Sequence, residues 1–213
     1  MSIITVSRRP FSRGSEVAEH TARKLGYRCV AREVLFEATG GLADPVYSAN
    51  CGGHTENNEN VWPEMPALAS LRGHRDAERR AGDPYAKGIT SANVAEFIAN
   101  PPPAYCGRAR LGAGDRFRWT VTRSKEELQK LLGKYRLGAI RSIEVLERGV
   151  SGRARAVRVT GATRSQIIRG ELRIRQAFGN LRSSLFVVEM QGGGARFRGA
   201  GFVDRFRASM VHK

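Results

Sequence analysis

Apolar positions in the first forty residues follow two patterns in turn. Residues 3–6 read Ile-Ile-Thr-Val, a β-branched run that predicts a strand, and the apolar residues within 17–25 recur at helical spacing. Residues 27–30 predict a second short strand, and residues 32–38 a second helix. The chain therefore opens as a strand, loop and helix of α/β type.

The composition of the chain changes at residue 40, where glycine, proline and polar residues become frequent. Most of residues 40–91 is predicted to be loop. Residues 92–99 predict a helix with Val94, Phe97 and Ile98 on one face, ended by the three prolines at 101–103.

Residues 124–132 give the clearest helix signal in the chain. Ser124 and Glu127 form a capping box, in which each side chain satisfies an otherwise unpaired amide. The apolar side chains Leu128, Leu131 and Leu132 follow at the spacing of one buried stripe.

The second half then alternates apolar and polar residues, as in Val157-Arg158-Val159, which is typical of strands with one solvent face. Strands are predicted at 142–148, 155–159, 165–168 and 185–190, with a helix at 170–178. The predicted fold class is α+β, a mixed sheet of short strands with a few helices, and much of its positive charge is expected on solvent faces.

The charge of the chain is unevenly placed. The 213 residues carry 36 Lys+Arg and 20 Asp+Glu, a net charge of +16. Residues 1–106 hold 12 basic and 12 acidic side chains, so the excess lies in residues 107–213. Thirty of the basic residues are arginines, which suit a polyanionic partner, although a solvated basic surface produces the same count.

Several classes of protein are excluded or disfavoured by composition. No window approaches 18 consecutive apolar residues, so no membrane span is predicted. The first residues lack the order of a secretory signal, which predicts a cytoplasmic chain as written. Three cysteines spaced by 22 and 55 residues form neither a disulfide framework nor a zinc knuckle.

Residues 1–39 resemble the start of cytidylate kinase-like proteins, through Ile3 to Arg8, residues 12–19 and residues 24–35. The resemblance implies phosphate binding at the helix start, by Ser12, Gly14 and Ser15. Only one glycine and no lysine of a phosphate-binding P-loop are present, however, and nothing after Thr39 continues the likeness.

A second resemblance covers residues 40–202. Residues 44–62 are similar to the S-x-C-G-G-x-T-E…V-W signature of the SpoIID/LytB family, the stage II sporulation protein D and amidase-enhancer group. Further matching blocks lie at 101–106, 116–122, 143–148, 151–153 and 181–186. The predicted organisation is a kinase-like fragment at 1–39, a SpoIID/LytB-like domain at 40–202 and an unmatched tail at 203–213.

This resemblance implies a cell-wall role, because family members cleave or bind peptidoglycan glycan strands, as lytic transglycosylases or amidase modulators. The family's catalytic glutamate motif, G-E-M-P upstream of C-G-G, is missing. Glu64-Met65-Pro66 lies downstream and is interpreted as coincidental, so no catalytic residue, cofactor or metal is predicted. The residues expected to line a glycan groove are Cys51, Gly52, Gly53, His54, Thr55, Glu56 and Trp62.

The cysteines leave three alternatives open. Cys51 and His54 have a spacing that a metal could use, with Cys106 as a third ligand. Cys51 and Cys106 could instead form a disulfide, or remain buried free thiols, which is the favoured interpretation in a chain without a signal.

The resulting hypothesis is a non-catalytic, peptidoglycan-associated protein whose partners are glycan strands, an anionic wall polymer or a cell-wall amidase. The family itself is extracytoplasmic. The interrupted motifs at both ends suggest a gene fusion or frame shift. Alternative functions are a basic nucleic-acid-binding module, which the strand pattern of Arg116 to Trp119 disfavours, and residual nucleotide binding by the kinase-like start.

Overall fold

The chain is described by a computed structural model that covers residues 14–25, 50–78, 80–108 and 116–202. It divides into two compact units, Met1–Val46 and Tyr47–Lys213. In the first unit, helix α1 spans Gly14–Leu25 and confirms the predicted helix. The predicted strands at 3–6 and 27–30 and the helix at 32–38 lie outside the described residues.

The larger unit combines short helices with two antiparallel sheets, which confirms the α+β fold class. In chain order its helices and strands are α2 (Asn58–Val61), α3 (Val94–Ala99), α4 (Tyr105–Arg108), β1 (Arg118–Arg123), α5 (Lys125–Leu132), β2 (Ile140–Arg148), β3 (Ala154–Gly161), β4 (Ser165–Arg169), α6 (Glu171–Ala177), β5 (Phe186–Gln191) and β6 (Gly194–Ala200). Single 3-10 turns lie at Ala69–Leu71 and Gly133–Tyr135.

The strands form two sheets of three rather than the single sheet expected from the sequence. One has the order β1-β6-β5 and the other β2-β3-β4. Strand β6 pairs with both of its neighbours, with Phe197 opposite Val121 and Val188. The many glycines around it conceal its alternation, so no strand was predicted for residues 194–200.

The main core lies between the sheets and helices α5 and α6. Three phenylalanines meet in it, with ring centroids 5.0 Å apart for Phe178 and Phe197 and 5.4 Å apart for Phe186 and Phe197. Leu128 and Leu132 of α5 are buried beside them, as the predicted stripe requires, while Leu131 is only half-buried. Burial of these side chains supplies most of the driving force for folding.

Helix α5 begins as the sequence predicts. The Glu127 amide donates to Ser124 Oγ at 3.2 Å, and the Ser124 amide donates to the Glu127 carboxylate at 2.8 Å. The capping box is therefore confirmed in both directions.

A second apolar cluster forms around α3 and supports the glycine-containing loop at residues 50–56 that precedes it in sequence. Phe97 is fully buried and contacts Tyr85 edge-to-face, with centroids 4.9 Å apart. Leu185 and Ala200 bring the end of the first sheet into the same cluster. In this way α3 and the residues packed against it support residues 50–56.

None of the helices in the described ranges has the length and apolar character needed to cross a bilayer. This agrees with the absence of a predicted span.

Candidate functional site

Residues 50–56, called here the Cys-Gly-Gly loop, are joined to the end of the first sheet. Asn50 and Phe202 exchange backbone hydrogen bonds of 3.0 and 2.8 Å. The Gly52 amide donates to Asn50 Oδ1 at 2.8 Å, and Gly52 adopts a φ of 75°. The turn needs a glycine here because this backbone conformation is costly for other residues.

Arginine side chains bind four successive carbonyl groups of this loop. Arg153 donates to the carbonyls of Cys51 and His54, at 3.0 and 3.2 Å. Arg118 donates to the Gly52 carbonyl at 3.0 Å, and Arg75 to the Gly53 carbonyl at 2.6 Å. Each of these four carbonyls thus accepts a hydrogen bond from a guanidinium group, whose fork geometry suits this task.

The expectation that much of the positive charge faces solvent holds for strand residues such as Arg155, Arg158 and Arg169, which are exposed, but not for the arginines at this loop. Arg153 and Arg175 are buried, and Arg118 lies in β1 with its guanidinium turned inward onto the carbonyls of Phe97 and Ile98. Burial lowers the pKa of Arg118 to about 10, and that of Arg148 to about 10, so both stay cationic at neutral pH. Alternation along a strand cannot distinguish an exposed arginine from one that crosses to a neighbouring loop.

Glu56 closes the loop against the turn between β2 and β3. Its carboxylate accepts hydrogen bonds from the Val150 amide at 3.1 Å, the Ser151 amide at 3.2 Å and Ser151 Oγ at 2.6 Å. The Asn57 amide and Asn60 side chain donate to it at 2.9 Å each. All five donors belong to the protein itself, so Glu56 links two segments about 95 residues apart.

Cys51 and Cys106 lie together as thiols, with their sulfur atoms 3.4 Å apart. The hydrogen bond from Cys106 lowers the pKa of Cys51, and the same bond together with burial raises the pKa of Cys106. Asp76 completes the group, because its carboxylate and the two sulfurs lie within 4.8 Å of one another. Among the described residues this is the set of side chains close enough to share one cation, and His54 is not part of it.

The His54 side chain of this loop is fully buried. Its Nδ1 lies 2.7 Å from the Thr55 carbonyl and must donate to it, which leaves Nε2 as the unprotonated acceptor, buried without a partner among the described groups. Burial lowers the pKa of His54 below its usual 6.5, against the weaker opposing effects of the Thr55 carbonyl and Glu56.

The lowered pKa predicts a loss of stability in mild acid. The unfolded chain binds a proton at His54 that the folded chain resists, so this stabilisation is complete above pH 6.5 and declines as the pH falls below it. The expected slope is at most about 1.4 kcal/mol per pH unit for one proton. Urea unfolding between pH 7.5 and 5 measures it, and His54→Gln should flatten the profile relative to the wild type. An unchanged slope in that variant would contradict the assignment.

The other predicted loop residues are mostly structural in position. Thr55 Oγ1 accepts from the His74 amide at 2.9 Å, and Gly53 is buried with a φ of 101°. Trp62 is half-buried at the end of α2. Cys51, Gly52, Gly53, His54, Thr55 and Glu56 follow one another in this loop, with Gly52, Gly53 and His54 buried, and their role in glycan binding stays a prediction.

The described surface has a cleft of about 380 Å³ beside this loop. Arg75, which binds the Gly53 carbonyl, forms part of its wall and also pairs with Asp83 at 3.0 Å. The remaining lining includes Tyr85, Pro102, Pro103, Tyr105, Arg80 and Arg108. None of the seven loop residues predicted for glycan binding lines the cleft directly.

Sequence reasoning missed the residues that line this cleft. Arg75 and Arg80 stand in a stretch predicted only as loop, while Tyr105 lies inside the block at 101–106 that carries the family resemblance. The signal in the sequence that could have indicated this cleft is a proline-rich segment followed by an aromatic residue. Their convergence depends on contacts such as the Tyr105 amide donating to the Asp76 carbonyl at 2.9 Å.

Part of the basic surface is neutralised by ion pairs along the sheets. Each pair is well exposed, so each contributes about 0–1 kcal/mol to stability. They join Arg158 to Glu144 at 3.1 Å, Arg169 to Glu147 at 2.7 Å and Arg198 to Glu189 at 2.5 Å.

The predicted phosphate-binding residues fall at the start of α1. Gly14 and Ser15 are its first two residues, and Ser12 lies outside the described residues. Phosphate binding there stays a prediction.

Comparison with known proteins gives a family without a known activity. No curated protein matches the chain. Residues 56–203, more than half of the chain, match the family described as a domain of unknown function, DUF8618. The matched region begins at Glu56 and contains all the helices and strands that the structure describes in the larger unit. The chain therefore belongs to the DUF8618 family.

Proposed function

We propose that this protein is a non-catalytic, peptidoglycan-associated glycan-binding protein of SpoIID/LytB type. The observation that carries the proposal is the cleft beside the Cys-Gly-Gly loop, which combines an exposed aromatic ring with two exposed cationic side chains. The resemblance of residues 40–202 to the SpoIID/LytB signature supplies the substrate class.

The cleft has the chemistry that an anionic glycan requires. Tyr105 is 41% exposed and offers a ring face to a sugar, with Pro102 and Pro103 extending the apolar wall. Arg80 and Arg108 are exposed at the same cleft and can form paired hydrogen bonds to the carboxylates of peptidoglycan.

The carboxylates of this region support a binding role rather than glycan cleavage. The general acid that cleaves a glycosidic bond must be protonated at the pH at which the enzyme works. Asp83 lines the cleft, but although partial burial alone would raise its pKa, the Tyr85 amide and Arg75 hold that pKa below the usual value. Glu56 is occupied by five donors, and Glu64 is an exposed residue outside the cleft lining. Glu78 does line the cleft, but it is exposed to solvent rather than enclosed.

Binding to purified sacculi tests the proposal. We expect the wild-type chain to co-sediment with sacculi without releasing soluble muropeptides, and Tyr105→Ala to bind about tenfold more weakly. Leu172→Ala is the matched control, because Leu172 is 54% exposed on α6, outside the cleft lining, and its truncation should leave binding unchanged.

Two outcomes would overturn this assignment. One is an equal loss of sacculus binding in Tyr105→Ala and Leu172→Ala, which would show that the cleft is not the binding site. The other is absence of sacculus binding together with DNA affinity that falls steeply with salt, as a nucleic-acid-binding module requires.

A further inference from the structure

We propose that Cys51 and Cys106 form a thiol–disulfide exchange site that reacts with low-molecular-weight disulfides and closes to an intramolecular disulfide. Their sulfur atoms are 3.4 Å apart, and both residues are partly exposed. The inference is independent of glycan binding, because it rests on the thiol pair and not on the cleft.

The backbone around the two thiols is already tied together. Asn50, which precedes Cys51, donates from Nδ2 to the Cys106 carbonyl at 3.2 Å. The Cys106 amide donates to Asp76 Oδ2 at 2.8 Å. A disulfide has a sulfur–sulfur bond of about 2.05 Å, so closure requires a local approach of the side chains rather than movement of distant segments.

The environment distinguishes the attacking thiol from the resolving one. Arg153 places a cation beside Cys51 by donating to the Cys51 carbonyl at 3.0 Å, and the adjacent Cys106 thiol lowers the pKa of Cys51 by more than burial and Asp76 raise it. Both contacts favour the thiolate of Cys51, which is the nucleophilic form. Cys106 keeps its proton, because loss of that proton beside Cys51 and Asp76 would place like charges together.

The exchange proceeds in two balanced steps. The Cys51 thiolate attacks one sulfur of the external disulfide RSSR, forming a mixed disulfide and releasing one RS⁻. Cys106 then passes its proton to the Asp76 carboxylate and attacks the Cys51 sulfur, releasing the second RS⁻. The two protein thiols are oxidised by two electrons and the external disulfide is reduced to two thiols.

Titration of the full chain with oxidised glutathione is the first test. Use of the Cys29→Ala background leaves Cys51 and Cys106 as the thiols under study. We expect both to disappear together without a retained glutathionyl group, and peptide mapping to find them joined. Closure of this long loop should raise Tm by roughly 10 °C, reversed by dithiothreitol.

Single variants in the same background assign the order of attack. Cys106→Ser should trap one glutathionyl group on Cys51, at a rate at least about tenfold above that of Cys106 in Cys51→Ser. Asp76→Asn should let the mixed disulfide accumulate, because the proton acceptor for the second step is removed. Circular dichroism confirms that each variant is folded.

Three results would overturn the proposal. These are separate glutathionylation of both cysteines, equal reactivity of the two single variants, and stoichiometric zinc in the purified chain that protects both thiols until a chelator removes it. The titration in the Cys29→Ala background leaves Cys51, Cys106 and Asp76 in place, so a further variant that fails to fold leaves this test intact.

Discussion

Replacing Gly52 by alanine is expected to destabilise the larger unit by about 3–5 kcal/mol. A Cβ at this position would lie 2.7 Å from the Gly201 amide nitrogen and 2.9 Å from the Ala200 carbonyl carbon. Both neighbours are backbone atoms held in the link to β6, so they cannot rotate away. The φ of 75° adds the strain of a left-handed conformation.

Gly82→Ala separates these two contributions. Gly82 has nearly the same φ, 76°, but a Cβ there would have no atom within 4 Å. Only conformational strain should therefore appear, at about 1 kcal/mol. Urea unfolding of both variants measures the difference, and equal losses would show that close approach to β6 does not explain the glycine.

Glu56→Gln is expected to cost about 3 kcal/mol. If the remaining oxygen keeps its three donors, the new amide group faces the Ser151 backbone amide, so two donors meet. The Ser151 hydroxyl cannot relieve this freely, because Arg153 already donates to it at 2.7 Å. The loss should be seen in the free energy of unfolding.

Glu64→Gln is the matched control for this charge change. Glu64 is exposed in the turn after Trp62, so its substitution should change stability by less than about 0.5 kcal/mol. If Glu56 served only to contact a glycan, Glu56→Gln would weaken sacculus binding without loss of stability. That pattern would refute the structural role assigned to the five hydrogen bonds.

The cleft and the thiol pair arise from segments that are far apart in sequence. Tyr105 follows the three prolines in sequence, and Arg75 lies in a loop thirty residues earlier, yet both line the cleft. Cys51 and Cys106 are 55 residues apart and meet through Asn50 and Asp76. Spacing alone left metal binding, a disulfide and free thiols as alternatives. The contact geometry shows adjacent thiols and removes His54 from the group.

The sequence by itself determined the features that depend on neighbours along the chain. The capping box of α5, the helix before the three prolines and the strands β2 to β5 follow from local hydrogen bonding and from the period of apolar residues. The class α+β follows from the same pattern.

Only the tertiary structure decided which arginines are inside and what the Cys-Gly-Gly loop does. Arg118 and Arg153 satisfy carbonyl groups of residues that are 66 and 102 positions away. The alternation of apolar and polar residues predicts the face of the strand on which a side chain lies. It does not predict which groups a long side chain contacts there. Strand β5 joins β6 through a short local turn, but the pairing of β6 with β1 links strands far apart in sequence. That non-local pairing, which burial of Trp119, Phe186 and Phe197 favours, fixed the division into two sheets.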